Sequence, residues 1–265
     1  MPWKKVLGRV SFINCDPIFH SIGHNWQILA APPSWLTGHL LRRDCISAPI
    51  PAADYATNCN QLGLLRDIGI VGRESVGSVF LFGYRSLESM RDIALPSDSS
   101  TSNLLMKWIL GQRGLDPKLI PMGPDIETML GECDGALIIG DRALSAALNN
   151  PDLVRMDLGS EWTKITGLPM VFGVFASRKD SPPRFVNEAR ESMLSSYNLF
   201  LDDGATKASV ASIASQKIAI PEDRIVTYFE SEVSNILDES SIEGLQIFLD
   251  EVCEMKSDPI WLESP

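Results

Sequence analysis

The chain has 265 residues, enough for one large domain or two small lobes. It carries 34 acidic and 23 basic residues, a formal charge of -11, and 45% of its residues are hydrophobic. That composition predicts a sizeable core, and the acidic balance argues against nucleic acid and anionic membranes as partners, since both need a basic face.

No apolar run approaches the roughly 18 residues that span a bilayer. Arg9 interrupts any apolar signal core near the N-terminus. The five cysteines are scattered, with no CxxC pair, and read as reduced thiols. A cytoplasmic location is expected.

Short apolar runs alternate with helix-like stretches, which predicts α/β architecture. A first strand over 5–13 leads to a helix opening near Asp16-Pro17. Residues 26–31 read as a second strand, and 33–41 as a helix with Pro33 in its first turn. A short buried strand is expected over 45–49. A longer one, buried on both faces, is expected over 75–84, where Val76, Val79, Phe80, Leu81 and Phe82 cluster.

A strand over 92–95 precedes the cap-rich run 97–102 and a helix over 103–110. Strands over 134–139 and 153–158 each run into a helix, and 170–177 reads as an apolar strand crossing back toward the first lobe. From Phe185 onward the chain reads as helical, with breaks at Gly204, Pro221 and 238–241. The second lobe is therefore expected over 87–177. Residues 1–86 and 178–265 form a discontinuous first lobe, and the two crossings make a hinge. Ligands in such sheets sit beyond the carboxyl ends of strands and in clefts between lobes.

The segment Phe12-Ile13-Asn14-Cys15-Asp16-Pro17 is expected to form one wall of that cleft. Asn14 lies at the end of the first strand, where it either bonds its own turn or meets a ligand. The run 97–102 holds four serines, a threonine and an aspartate ahead of a helix. One side chain suffices for a cap, so the surplus hydroxyls point to a carboxylate site at the helix N-terminus. No Lys or Arg sits in the run, which argues against a phosphate loop. Ser78, among apolar residues, either bonds backbone or faces the cleft. Asp141 either caps the next helix or reaches the cleft.

His20, His24 and His39 crowd into one stretch and read as surface residues rather than metal ligands, so no metal site is expected. Trp162 and Gly167-Leu168-Pro169 read as packing and turn chemistry. No nucleotide-binding glycine fingerprint and no Ser-His-Asp order is evident.

Several segments together resemble the chorismate dehydratase family of the futalosine route to menaquinone. They are Arg9 through Pro17; Ser47-Ala48-Pro49-Ile50 with Asp54-Tyr55; Ser75-Val76-Gly77-Ser78-Val79; Ser99-Ser100-Thr101-Ser102; Leu137 through Leu144; and Asp157 through Trp162 with Thr166 through Phe172. The resemblance implies a two-lobed periplasmic-binding-protein-like fold of type II, with a hinge and an interlobe cleft. It implies loss of water from chorismate to give 3-[(1-carboxyvinyl)oxy]benzoate, with no cofactor and with chorismate as the small-molecule partner; a monomer or a homodimer is expected. It marks Asn14 and Ser78 as catalytic, and Ser99, Thr101 and Ser102 as substrate-binding; Asp141, from its place after a buried strand, is expected to join the substrate-binding residues. Asp16 and His20 stand where the family usually has apolar or aromatic residues, Phe175 where tryptophan is usual, and Gly83 where serine is common. The alternatives are a 1,4-dihydroxy-6-naphthoate synthase-like enzyme on the same fold, which uses a histidine base, and a non-catalytic small-carboxylate binding protein.

Overall fold

The structure is a computed structural model and describes residues 2–262. The chain builds β1 (Val6–Val10), the short helix α1 (Asp16–Phe19), β2 (Gln27–Ala31), α2 (Pro33–Leu41), β3 (Ser47–Pro51), α3 (Ala52–Asn58) and β4 (Leu62–Gly72). It then passes through β5 (Val79–Gly83), β6 (Asp92–Pro96), α4 (Ser100–Gln112), β7 (Lys118–Met122), α5 (Ile126–Glu132), β8 (Gly135–Ile139), α6 (Gly140–Asn149), β9 (Val154–Asp157) and α7 (Leu158–Thr166). It returns through β10 (Met170–Arg178), α8 (Pro183–Asp202), α9 (Gly204–Ile218), α10 (Glu222–Thr227), β11 (Val233–Leu237) and α11 (Glu239–Ile247).

Among the described residues these strands form two sheets. The first has the order β11-β4-β10-β3-β1-β2, the second β7-β6-β8-β5-β9. In the first, β2 and β3 run parallel to β1, and β10 runs antiparallel to both β3 and β4. The chain therefore leaves the first sheet after Gly72 and regains it at Met170. The lobe limits read from sequence, 86/87 and 177/178, fall one strand late at each crossing. β5 pairs with β8 and β9 of the second sheet, and β10 with β3 and β4 of the first. An all-apolar strand reads the same in either sheet, so only its pairing partners assign it.

Other expectations also shift. Residues 75–78 are a connection rather than strand, and α4 begins three residues earlier than its apolar pattern suggests. β4 escapes the hydrophobic pattern because exposed Arg66 and Asp67 interrupt it, with Asp67 in the left-handed region (φ 69°). β11 interrupts the C-terminal helical region. Its central Asn235 is buried; the Asn235 backbone N–H donates to the Tyr197 hydroxyl at 3.1 Å, and its Nδ2 donates to the Gly69 carbonyl at 3.0 Å. Those partners lie far away in sequence, so a polar pair such as Ser234-Asn235 gives no local sign of a strand.

The core follows the strand period of two. Leu81 of β5 faces the large core shared with the first sheet, while Phe80 and Phe82 face a smaller core against Ala94, Met129 and Ile138. Trp162 is fully buried, 5.2 Å from the ring of Trp108 and 6.1 Å from that of Phe248. It thus ties α7 to the C-terminal part of the chain. Pro49 and Pro51 lack N–H groups, and β3 registers with β1 at Leu7↔Ser47, near its start. Beyond that point β3 stays in register with β10, and Pro49 and Pro51 line the cleft.

Candidate active site

Between the sheets lies a cleft. Asn14, Ser78, Ser99, Thr101 and Ser102 all line it, with Phe12, Pro49, Ile50, Pro51, Val76, Gly140 and Phe172 among its apolar walls. Five of the six expected site residues thus converge from distant parts of the sequence.

Asn14 sits in the tight turn Ile13–Cys15 after β1. Its Oδ1 is buried and has no hydrogen-bond partner. An unsatisfied buried amide oxygen is disfavoured by about 1–3 kcal/mol, and this one belongs to a residue that lines the cleft. The local alternative, a side chain bonded to its own turn, is not what forms.

Ser78 precedes β5 and is buried. Its Oγ lies 3.2 Å from the Val76 carbonyl and 3.0 Å from the Tyr228 hydroxyl, so it both bonds backbone and lines the cleft. The connection that carries it is pinned from both lobes. The Asp157 carboxylate accepts the N–H groups of Val76 and Gly77, at 3.2 and 2.8 Å. Gly77 has φ 63°, a left-handed conformation that favours glycine, and a Cβ there would displace the Glu232 carboxylate.

α4 brings the hydroxyl cluster. Ser99 is its N-cap and accepts the Ser102 N–H at 3.4 Å. Thr101 Oγ1 accepts the Ala53 N–H at 3.2 Å, and Ser100 Oγ donates to Asp54 Oδ1 at 2.5 Å. Thr37 Oγ1 donates to the other oxygen of Asp54 at 2.6 Å. Asp54 therefore holds the first turn of α4 against the opposite lobe. The partial positive charge of that turn faces the cleft, where no cationic side chain stands among the described lining residues.

Asp141 departs from expectation. It does not line the cleft; its Oδ1 accepts the backbone N–H of Ile13 at 2.9 Å. Its place in the first turn of α6 turns it toward the turn that carries Asn14 rather than toward the cavity. Burial pushes its carboxyl up to about 6, against the lowering effects of the Ile13 N–H, Lys217 and Arg142. Beside it the Phe12 ring lies against Gly140 (φ 64°), with the Arg142 guanidinium 5.5 Å from the ring centroid.

Asp16 also proves remote from the ligand space. Its carboxylate is paired with Arg9 and lies 3.7 Å from Lys217 Nζ. Burial raises its pKa, opposed by those two cations. The histidines stay out of the cleft as well: His20 contacts the Pro17 carbonyl and Ser196, His39 contacts Asp44, and His24 is exposed. Among the described residues no three His, Cys, Asp or Glu side chains are grouped to hold a metal. None of the described helices is long and apolar enough to cross a membrane.

Sequence reasoning missed Tyr228, which backs Ser78, and Asp54, which fixes α4. Asp54 stands within a segment that carries the family resemblance. Tyr228 has no local signal, since its partner is 150 residues away.

The chain is similar to known proteins in both sequence and fold. A family model described as menaquinone biosynthesis matches residues 6–254. The chorismate dehydratase of Thermus thermophilus is 31% identical over 194 residues, covering 67% of this chain and 71% of that protein. A crystal structure of an Archaeoglobus fulgidus protein superposes with a TM-score of 0.77 at 19% identity, covering 95% of this chain and 97% of the other. The alkanesulfonate-binding protein SsuA of Xanthomonas axonopodis pv. citri, bound to MOPS, gives 0.68 at 14% identity, covering 98% and 96%. The two structural matches show a periplasmic-binding-protein fold. With the family model covering nearly the whole chain, this protein belongs to the menaquinone biosynthesis family.

Proposed function

We propose that this chain is a chorismate dehydratase, a hydro-lyase that removes water from chorismate to give 3-[(1-carboxyvinyl)oxy]benzoate. The observation that carries this reading is the chemistry of the cleft. Its described walls offer amide and hydroxyl groups but no ionisable side chain. The similarity to the Thermus thermophilus enzyme supports the same substrate.

The reaction suits such a site. The ring carbon bearing the enolpyruvyl ether loses a proton, and its neighbour loses hydroxide. The ring alkene and ring carboxylate acidify that proton, and aromatisation drives the step. With no base on the walls, the enolpyruvyl carboxylate of the substrate takes the proton and passes it to the departing hydroxide. The balance is loss of one water, redox-neutral and without a cofactor.

The protein's part is placement. Asn14 and Ser78 hold the enolpyruvyl carboxylate and the leaving hydroxyl, with Asn14 Oδ1 free to accept from a substrate hydroxyl. Ser99, Thr101 and Ser102 hold the ring carboxylate at the N-terminus of α4. Positioning of this kind contributes about 7–11 kcal/mol, and each oriented donor about 3 kcal/mol. Closure of the lobes excludes water. The dihydroxynaphthoate alternative needs a histidine base, and no histidine is among the described lining residues.

The test is incubation of the purified protein with chorismate and a chelator, without nucleotide, followed by mass spectrometry. The expected product is the aromatic enolpyruvyl ether. A chorismate-induced thermal shift with no product would identify a binder and overturn the reading.

A further inference from the structure

Ser78 presents one hydroxyl to the cleft, and what that hydroxyl does depends on where its proton points. Its Oγ has two hydrogen-bonding neighbours among the described residues, the Val76 carbonyl at 3.2 Å and the Tyr228 hydroxyl at 3.0 Å. Tyr228 follows α10 in the wide turn Tyr228–Glu232, a π segment of the kind often found at functional sites. It is 1% exposed and does not line the cleft. Its ring is fixed 5.6 Å from that of Phe229. Among the described residues its hydroxyl has no hydrogen-bond partner besides Ser78.

We propose that Tyr228 is a positioning residue that donates its hydroxyl proton to Ser78 Oγ and thereby presents the Ser78 hydroxyl to the substrate as a donor. This rests on the dehydratase reading. The proton count supports the direction. The Val76 carbonyl can only accept, so Ser78 donates to it when the cleft is empty. Tyr228 then has one acceptor in reach, Ser78 Oγ. When an anionic oxygen of the substrate arrives, the Ser78 proton turns from Val76 to that oxygen. The Tyr228 bond stays in place and strengthens the donation, as chained hydrogen bonds polarise one another. Burial also drives the phenol upward, so it keeps its proton throughout the working pH range.

The test is a double-mutant cycle on the full chain with chorismate as substrate. Tyr228→Phe removes one oxygen and keeps the ring packing. It is expected to lower kcat by roughly 10- to 100-fold, with KM changed by less than about threefold. In a Ser78→Ala background the same change is expected to have almost no further effect, because the group it acts through is gone. Wild-type turnover by Tyr228→Phe would overturn the proposal. So would an equal loss with and without Ser78, which would mark a purely structural role. Should Tyr228→Phe fail to fold, 3-fluorotyrosine at position 228 replaces it. That stronger donor is expected to change kcat in the wild type and not in Ser78→Ala, and no change in either overturns the proposal. A wild type that makes no product from chorismate sinks the dehydratase reading instead, and is distinguishable from these outcomes.

Discussion

The backbone N–H of Ile13 donates to the Asp141 carboxylate at 2.9 Å, tying the turn that carries Asn14 to the first turn of α6. The bond joins the end of β1 in the first sheet to the end of β8 in the second. It makes Asp141 a support of the cleft wall. Burial raises its carboxyl to about 6 from an ordinary 3.8. A raised carboxyl means that the folded state holds the proton more tightly than the unfolded state. Its stabilising contribution is therefore present below about pH 4 and is lost as pH rises through about 6. Asp141→Asn keeps an acceptor oxygen and removes the buried charge. Its melting temperature is expected to exceed that of the wild type at pH 8, with the gap closing toward pH 4. Scanning calorimetry across that range checks it; a gap independent of pH would contradict the burial argument.

Gly140 forms the other half of this contact. A Cβ there would lie 2.6 Å from the Phe12 ring, on backbone already at φ 64°. Gly140→Ala is expected to destabilise the fold by about 1–3 kcal/mol. It should also push Phe12, a cleft-lining residue, out of place and raise KM for chorismate. Urea denaturation and steady-state kinetics on the same preparation read both effects.

Asn14→Ala separates activity from stability. Turnover is expected to fall by roughly 100-fold or more, as on loss of an oriented polar group at a reacting centre. The melting temperature should hold or rise slightly, because a buried oxygen without a partner is removed. A large loss of stability with normal turnover would reverse the assignment.

The Asp16 charge faces Arg9 and Lys217 rather than the cleft. Asp16→Asn is expected to keep kcat/KM within about threefold, since its carboxylate pairs with Arg9 and is not among the cleft-lining groups. Arg9→Met leaves a buried carboxylate with only Lys217 nearby and is expected to cost about 3 kcal/mol of stability. Equilibrium unfolding of the two variants gives the comparison.

The described cleft walls hold no titrating side chain, so kcat is expected to be flat from about pH 7 to 9. Chorismate esterified at the enolpyruvyl carboxylate should bind and not turn over. A basic limb in the kcat profile, or turnover of that ester, would demand a protein base.

Much of the architecture was legible because local chemistry decides it. α2 runs over the span that Pro33 and its apolar pattern predict, and β2 and β6 lie within a residue of their expected limits. The surplus hydroxyls at the start of α4 pointed to the cleft through helix-end electrostatics, whereas local rules allowed Asn14 a role in its own turn. The order of the family-like segments singled out Asn14 and Ser78. β4 and β11 were not legible, because Arg66-Asp67 and Ser234-Asn235 are carried there by partners far along the chain.

The sequence by itself determined an acidic α/β chain whose polar, uncharged residues gather where strands end. Only the tertiary structure decided that Asp141 and Asp16 turn away from the ligand and that Tyr228 stands behind Ser78. The physical reason is range. Caps, turns and strand periods act over a few residues, whereas the direction of a buried side chain is set by the hydrogen-bond partner that satisfies it. For Asp141 that partner is 128 residues away, and for Ser78 it is 150.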